Sequence, residues 1–262
     1  MSWIPSFLKS KAKLYGENKP FDLSTLAVDM HSHLLPGIDD GAQDITESIA
    51  LIQKMESMGY SKIITTPHVM SDFYKNTPEI IHAKLKEVQD VLIQHNCTIE
   101  IQAAAEYFYD EFLLEQISSG KELLYFGTEK KYVLFELSFA QEPNGYKQLI
   151  FELIQQGYTP VIAHFERYVY FERNFIEHAQ NLRSRGVKIQ LNLLSLTGHY
   201  GRKIQQLARL LVDHQLVDFV ATDCHRMEHL TRIEDSLNSS YMRKLADLNL
   251  LNARISSSLQ AQ

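Results

Sequence analysis

Seven short runs of apolar and β-branched residues recur along this chain, and nearly every one ends on a side chain able to bind a metal ion. The runs cover residues 27–30, 62–66, 98–104, 131–137, 160–163, 187–193 and 217–222. Counting between their ends, His31 to His68 is 37 residues and His68 to Glu106 is 38. The following steps are 30 to Glu136, 28 to His164, 28 to Asn192 and 31 to Asp223. Each interval accommodates one strand, one helix and two turns, and strands alternating with helices at that spacing form a parallel sheet.

The intervening segments carry helix signals. Ile49, Ile52, Met55 and Met58 recur at helical spacing over residues 46–58, and Gly59 stops that helix. Thr77-Pro78 places a capping residue before a proline at the first helical position, opening a helix to about Gln94. Further helices are expected over 111–117, 146–156, 175–185, 202–214 and, amphipathic, 239–254. A doubly wound sheet would concentrate its site at one switch point. Ligand-type residues after nearly every strand favour a seven-stranded (β/α) barrel, whose strand ends all meet on one face.

Residues 27–262 read as a single domain after an N-terminal arm, residues 1–26. Trp3, Ile4, Phe7 and Leu8 are interrupted by Lys9, Lys11 and Lys13, which suits a short helix packed on the domain better than a signal peptide. No apolar run reaches the ~20 residues that span a bilayer, so no integral membrane segment is expected. Two cysteines, Cys97 and Cys224, are too few for a disulfide framework and suggest the cytoplasm. A net charge of −6 argues against nucleic acid as partner. It also means that an anionic substrate needs positive charge supplied locally.

The strand ends bring together His31, His33, Asp39 or Asp40, His68, Glu106, Glu136, His164, Asp223 and His225. On extended backbone, residues i and i+2 point the same way, so His31 and His33 can aim at one point. An isolated His-x-His reads first as a strand end with two polar side chains facing water. Of the eleven histidines, His82, His95, His178 and His214 fall in or beside helices, His199 in a loop and His229 after the last motif. Carboxylates gathered on one face without compensation are unfavourable, and divalent cations remove the difficulty. Arg167, three residues after His164, can reach the same face and grip two phosphoryl oxygens at once, unless it merely pairs with Glu166. Aromatic residues Tyr107, Phe108, Tyr109, Phe139, Phe165, Tyr168 and Tyr170 flank the strand ends, as a wall for a ring or as cover for the barrel rim.

His31-x-His33, Asp40, Pro67-His68, Ala105-Glu106, His164 and Asp223-x-His225, in this order after successive strands, resemble the PHP (polymerase and histidinol phosphatase) superfamily. Within it, the stretches at 31–41, 63–68, Phe135-Glu136, 163–168 and 190–195 are similar to the CpsB-type bacterial tyrosine phosphatases encoded alongside capsule and exopolysaccharide genes. The similarity covers about residues 27–232. It implies an α/β fold, a distorted (β/α)7 TIM-like barrel, with three divalent metal ions. One would bind His31, His33, Glu106 and Asp223; a second Glu106, Glu136 and His164; the third Asp40, His68 and His225. Manganese is expected, with iron or zinc also suited to this donor set. Arg167 is the implied catalytic and substrate-binding residue, and Tyr168 is taken as a second substrate contact.

The implied substrate is a tyrosine-phosphorylated bacterial kinase tail. A Cys-x5-Arg nucleophile loop is absent, since Leu230 stands six residues after Cys224 and Ala103 six after Cys97. The competing readings are another PHP phosphoesterase such as a histidinol phosphatase, or a non-catalytic metal-binding docking protein.

Overall fold

The structure, a computed structural model, describes residues 19–255. Nine strand segments are present among them: β1 (Val28–Asp29), β2 (Lys62–Thr65), β3 (His68–Val69), β4 (Glu100–Ala103), β5 (Glu106–Phe108), β6 (Lys131–Glu136), β7 (Tyr158–Ile162), β8 (Lys188–Asn192) and β9 (Phe219–Ala221). They make seven barrel staves, because β2 runs on into β3 and β4 into β5. The first break falls at Thr66-Pro67, where proline has no N–H to give a ladder, and the second at Ala104-Ala105. Every paired segment is parallel, in the orders β1-β2-β4 and β3-β5-β6-β7-β8-β9.

The ring closes between its first and last staves in two different ways. Near the carboxyl ends, main chain meets main chain: His33 N–H donates to Cys224 O (2.8 Å) and Asp223 N–H to His31 O (2.9 Å). Towards the base the staves separate and side chains bridge them. Asn252 donates to Val28 O (3.0 Å) and Val220 O (2.7 Å) and accepts from Val220 N–H (3.1 Å). The Asp29 carboxylate accepts from the Thr222 N–H and hydroxyl at 2.8 and 3.0 Å. This seam makes the (β/α)7 barrel a distorted one.

The helices are α1 (Ile45–Ser57), α2 (Pro78–Gln94), α3 (Glu111–Ser118), α4 (Tyr146–Gln155), α5 (Phe175–Ser184), α6 (Leu193–Thr197), α7 (Arg202–Asp213), α8 (Met227–Ser236) and α9 (Ser240–Lys244). Asp44 caps α1 by accepting from Glu47 N–H (2.9 Å), and Ile49, Ile52 and Met55 are buried as their spacing predicts. Alternate stave residues, among them Val28, Met30, Ile64, Leu134, Val161, Phe219 and Ala221, form a small cluster with Phe126, Tyr132 and Ile255. The larger core lies between staves and helices.

Two expectations are corrected. Helix α8 carries no interval signal and was not expected. The single helix over 239–254 is instead α9 followed by 3-10 turns at Leu245–Asp247 and Asn252–Ile255. The chain extends at Leu248, so that Leu251 N–H can donate to Asp218 O (2.8 Å) and Asn252 can enter the seam. The helix expected in the N-terminal arm lies outside the described residues. Nearer the barrel, Phe21, Leu23 and Leu26 are buried in the core, and Phe21 N–H donates to Leu237 O (2.9 Å). No described helix is long and apolar enough to cross a membrane.

Candidate metal centre

The carboxyl ends of the staves surround a cavity of about 390 Å3 lined by Asp40, His68, Glu106, Glu136, His164, Asp223 and His225, among others. His31 and His33 are fully buried beneath it. Glu106 stands at the centre. Its Oε2 lies 3.2 Å from His31 Nε2, 3.4 Å from His33 Nε2 and 3.1 Å from His68 Nδ1. Asp223 Oδ1 is 3.4 Å from both His31 Nε2 and His33 Nε2, which are 3.2 Å apart. An ion with arms of ~2.1 Å in tetrahedral coordination separates its ligand atoms by about 3.4 Å, which is close to the distance from each of the two carboxylate oxygens to the two histidine nitrogens.

The remaining donors form two more groups. Glu106 Oε1 is 3.1 Å from His164 Nε2, while Glu136 reaches His164 Nε2 at 3.8 Å and His68 Nδ1 at 3.3 Å. Asp40 Oδ1 is 3.4 Å from His225 Nε2 and 3.5 Å from His68 Nε2. The neighbouring aspartates differ in what each touches. Asp39 is buried and accepts from Gly41 N–H and His68 N–H while holding His33 Nδ1 at 2.8 Å. Asp40 turns to the cavity with its carboxylate half exposed. Gly41 permits this turn, since a Cβ there would stand 2.0 Å from the His33 carbonyl oxygen.

The donor chemistry fits divalent cations. Glu106 Oε2 and His68 Nδ1, which face one another in the cluster, are buried with no hydrogen-bond partner. Leaving such groups unpaired costs about 1–3 kcal/mol each. Burial alone would raise the pKa of Glu106 and Asp223, yet the facing histidines hold both well below the carboxylate range. Burial opposes charge on His33 too, and Asp39, Asp223 and Glu106 outweigh it, raising its pKa. For His164, burial and the Arg167 charge act together to lower it. Two cluster members, His164 (φ 33°) and Asp223 (φ 48°), occupy the left-handed backbone region. For residues other than glycine this costs about 1–3 kcal/mol and is met mainly at functional sites.

Arg167 points into the cavity, with Nη1 3.3 Å from Asp223 Oδ2. Its guanidinium lies between the rings of Phe139 (4.3 Å) and Tyr200 (4.4 Å). It does not pair with Glu166, whose carboxylate accepts from Asn192 N–H and the Ser195 hydroxyl.

The family model for capsular polysaccharide synthesis, CpsB/CapC, matches residues 27–248. The chain belongs to the CpsB/CapC family. It is 32% identical over 205 residues to the tyrosine-protein phosphatase YwqE of Bacillus subtilis, covering 77% of this chain and 78% of the relative. It is 28% identical over 209 residues to the tyrosine-protein phosphatase CpsB of Streptococcus pneumoniae, covering 77% and 84%. A crystal structure from work on YwqE and CpsB, described as unique metal-dependent tyrosine phosphatases, superposes with a TM-score of 0.73. That match has 26% identity and covers 90% of this chain and 97% of the other. A zinc-containing histidinol phosphate phosphatase from Lactococcus lactis shares the fold at TM-score 0.53 and 16% identity, covering 85% and 94%.

In this CpsB/CapC chain the aromatic wall differs from the one expected. Tyr168 is fully buried, its hydroxyl accepting from Leu137 N–H (2.9 Å), and it backs His164 instead of lining the cavity. Tyr74, Phe139 and Tyr200 line it, with His199, Arg226, Glu228 and His229. Of these only Phe139 was singled out as an aromatic flank. The loop carrying His199 and Tyr200 follows the sixth stave, and in a parallel barrel that position alone assigns it to the ligand face. Cys224 is buried, its thiol pushed up in pKa by burial and turned to the Arg226 carbonyl.

Proposed function

We propose that this chain is a metal-dependent protein-tyrosine phosphatase that acts on phosphotyrosine in the tail of a bacterial tyrosine kinase of capsule or exopolysaccharide synthesis. The observation that carries the reading is Glu106 central among nine donors, with the Arg167 guanidinium in the cavity that seven of them line. The first ion would take His31, His33, Glu106 and Asp223, the second Glu106, Glu136 and His164, the third Asp40, His68 and His225. Manganese is the proposed metal, and the mixed imidazole and carboxylate set also suits iron or zinc. Bound divalent ions supply charge neutralisation for phosphoryl oxygens and a nucleophile at neutral pH.

The chain's own residues do the rest. Arg167 holds phosphoryl oxygens through its free N–H edges, while Phe139 and Tyr200 keep its plane fixed. In a protein of net charge −6, this local positive charge brings a phosphate in. A phenolate leaves with a pKa of about 10, so it depends less on acid assistance than an alkoxide does. The cytoplasm, where Cys97 and Cys224 stay reduced, is the proposed location.

The test is a rate comparison of manganese-loaded protein on a phosphotyrosine peptide and on histidinol phosphate at matched concentrations. Faster turnover of the peptide is expected, abolished in His33→Ala and reduced about 100- to 1,000-fold in Arg167→Ala. Preference for histidinol phosphate would overturn the substrate. Stoichiometric metal with no turnover of either would overturn the enzyme in favour of a docking protein.

A further inference from the structure

Gln190, on β8, is completely buried under the metal centre. Its Oε1 lies 2.7 Å from the backbone nitrogen of His164 and 3.2 Å from Nδ1 of His31, a residue 159 positions away. A backbone N–H can only donate, so the oxygen end of the amide must face His164. Turning the amide over would set its NH2 against that N–H. Its Nε2 is buried without a partner, so the oxygen end makes the bonds that fix the residue here.

The consequence falls on His31. An amide oxygen only accepts, so the Nδ1 facing it carries the ring proton. In a neutral imidazole the lone pair is then on Nε2, the atom that faces Glu106, Asp223 and His33. The tautomer of one candidate ligand is thereby dictated by a main-chain donor on another stave. Asp39 does the equivalent for His33 at 2.8 Å, and the Asp223 carbonyl for His225 at 2.9 Å. Gln190, like Asp39 with His33 and the His68 N–H, holds two candidate ligands at once, the second here through the main chain of His164 at its positive φ.

We propose that Gln190 is a positioning residue that locks His31 with Nε2 free for metal and pins His164 at the end of the neighbouring stave. The proposal rests on the metal reading of the centre and not on the identity of the substrate. Two readouts test it. In zinc-loaded protein with 15N-labelled histidine, long-range 1H–15N spectra should show His31 protonated at Nδ1 and ligated at Nε2; the reverse assignment overturns the proposal. In competition with a chromophoric chelator, Gln190→Leu should bind zinc about 10- to 100-fold more weakly, the usual loss when such a supporting bond goes. Gln190→Glu keeps an acceptor and should stay within about threefold of the parent protein. A folded Gln190→Leu with unchanged zinc affinity overturns the proposal, and melts of the metal-free protein establish that it is folded. If it does not fold, the Gln190→Glu affinity and the parent spectrum decide. Neither readout uses a phosphorylated substrate, so failure here is distinct from failure of the phosphatase assignment.

Discussion

Asp218 at the base of the barrel and Glu106 at its mouth are both buried carboxylates, and their surroundings are opposite in kind. Asp218 accepts from Arg183 Nε and Nη2 at 3.1 Å each and from Ile189 N–H at 3.0 Å, with Lys188 3.5 Å away. Nearby, Asn252 uses both ends of its amide. Around Glu106, by contrast, one carboxylate oxygen and a ring nitrogen of His68 have no hydrogen-bond partner. Asp218 and Asn252, which close the fold, are satisfied by the chain itself. Glu106 at the mouth keeps a buried carboxylate oxygen without a hydrogen-bond partner, which suits a group that binds something the chain does not supply.

The largest test of that contrast is Glu106→Gln, which keeps the shape and removes the shared charge. Activity on a phosphotyrosine peptide should fall at least ~1,000-fold, about 4 kcal/mol of transition-state stabilisation. The melting temperature of the metal-free protein should move less than that of Asp218→Ala. The base variant should show the converse. Losing the Asp218 carboxylate strands the Ile189 N–H and unpairs Arg183, costing about 2–3 kcal/mol, since Arg183 keeps part of its head in water. For a chain of this size that is a fall of roughly 5–10 °C. Its kcat/KM at 25 °C, per folded molecule, should stay within about twofold of the parent. A melt in which Glu106→Gln falls further than Asp218→Ala would break the contrast.

The mouth was more legible in the sequence than the base, for a physical reason. In a parallel barrel the residue after each strand is on the ligand face whatever the details of packing, so strand periodicity alone placed His31, His68, Glu106, Glu136, His164 and Asp223. Contacts specific to the folded chain had no such signal. Asn252 serves a seam whose other edge, Val28, is 224 residues away, and nothing local distinguishes it from a helical asparagine. The same contact explains why the last helix breaks. Adjacent residues in one loop were also beyond periodicity: Asp39 and Asp40 are equally acidic, and only the Gly41 turn sends one inward and one to the cavity. Tyr168 and Tyr200 show this for the wall. Both are tyrosines near strand ends, but one turns its hydroxyl to the Leu137 main chain while the other covers Arg167.

Arg167 stands between the two classes, and it sharpens the contrast at its smallest scale. Its faces are closed by Phe139 and Tyr200, while its edges, apart from the 3.3 Å contact to Asp223, are free. A ring over a guanidinium contributes about 0.5–2 kcal/mol, more when water is excluded. Tyr200→Ala and Phe139→Ala should therefore each lower kcat/KM on a phosphotyrosine peptide by about 3- to 10-fold. Metal content should not change, because neither ring is a ligand. Tyr200→Phe keeps the ring and gives up one hydrogen bond, the 3.2 Å contact from Asn192 Nδ2, so its kcat/KM should stay within about twofold. Losing metal in Tyr200→Ala would show that the ring supports the centre itself. A loss in Tyr200→Phe as large as in Tyr200→Ala would transfer the effect from the ring to the hydroxyl. With neither outcome, the closed faces of Arg167 serve to aim its open edges, the fold's way of bonding placed in the service of the site.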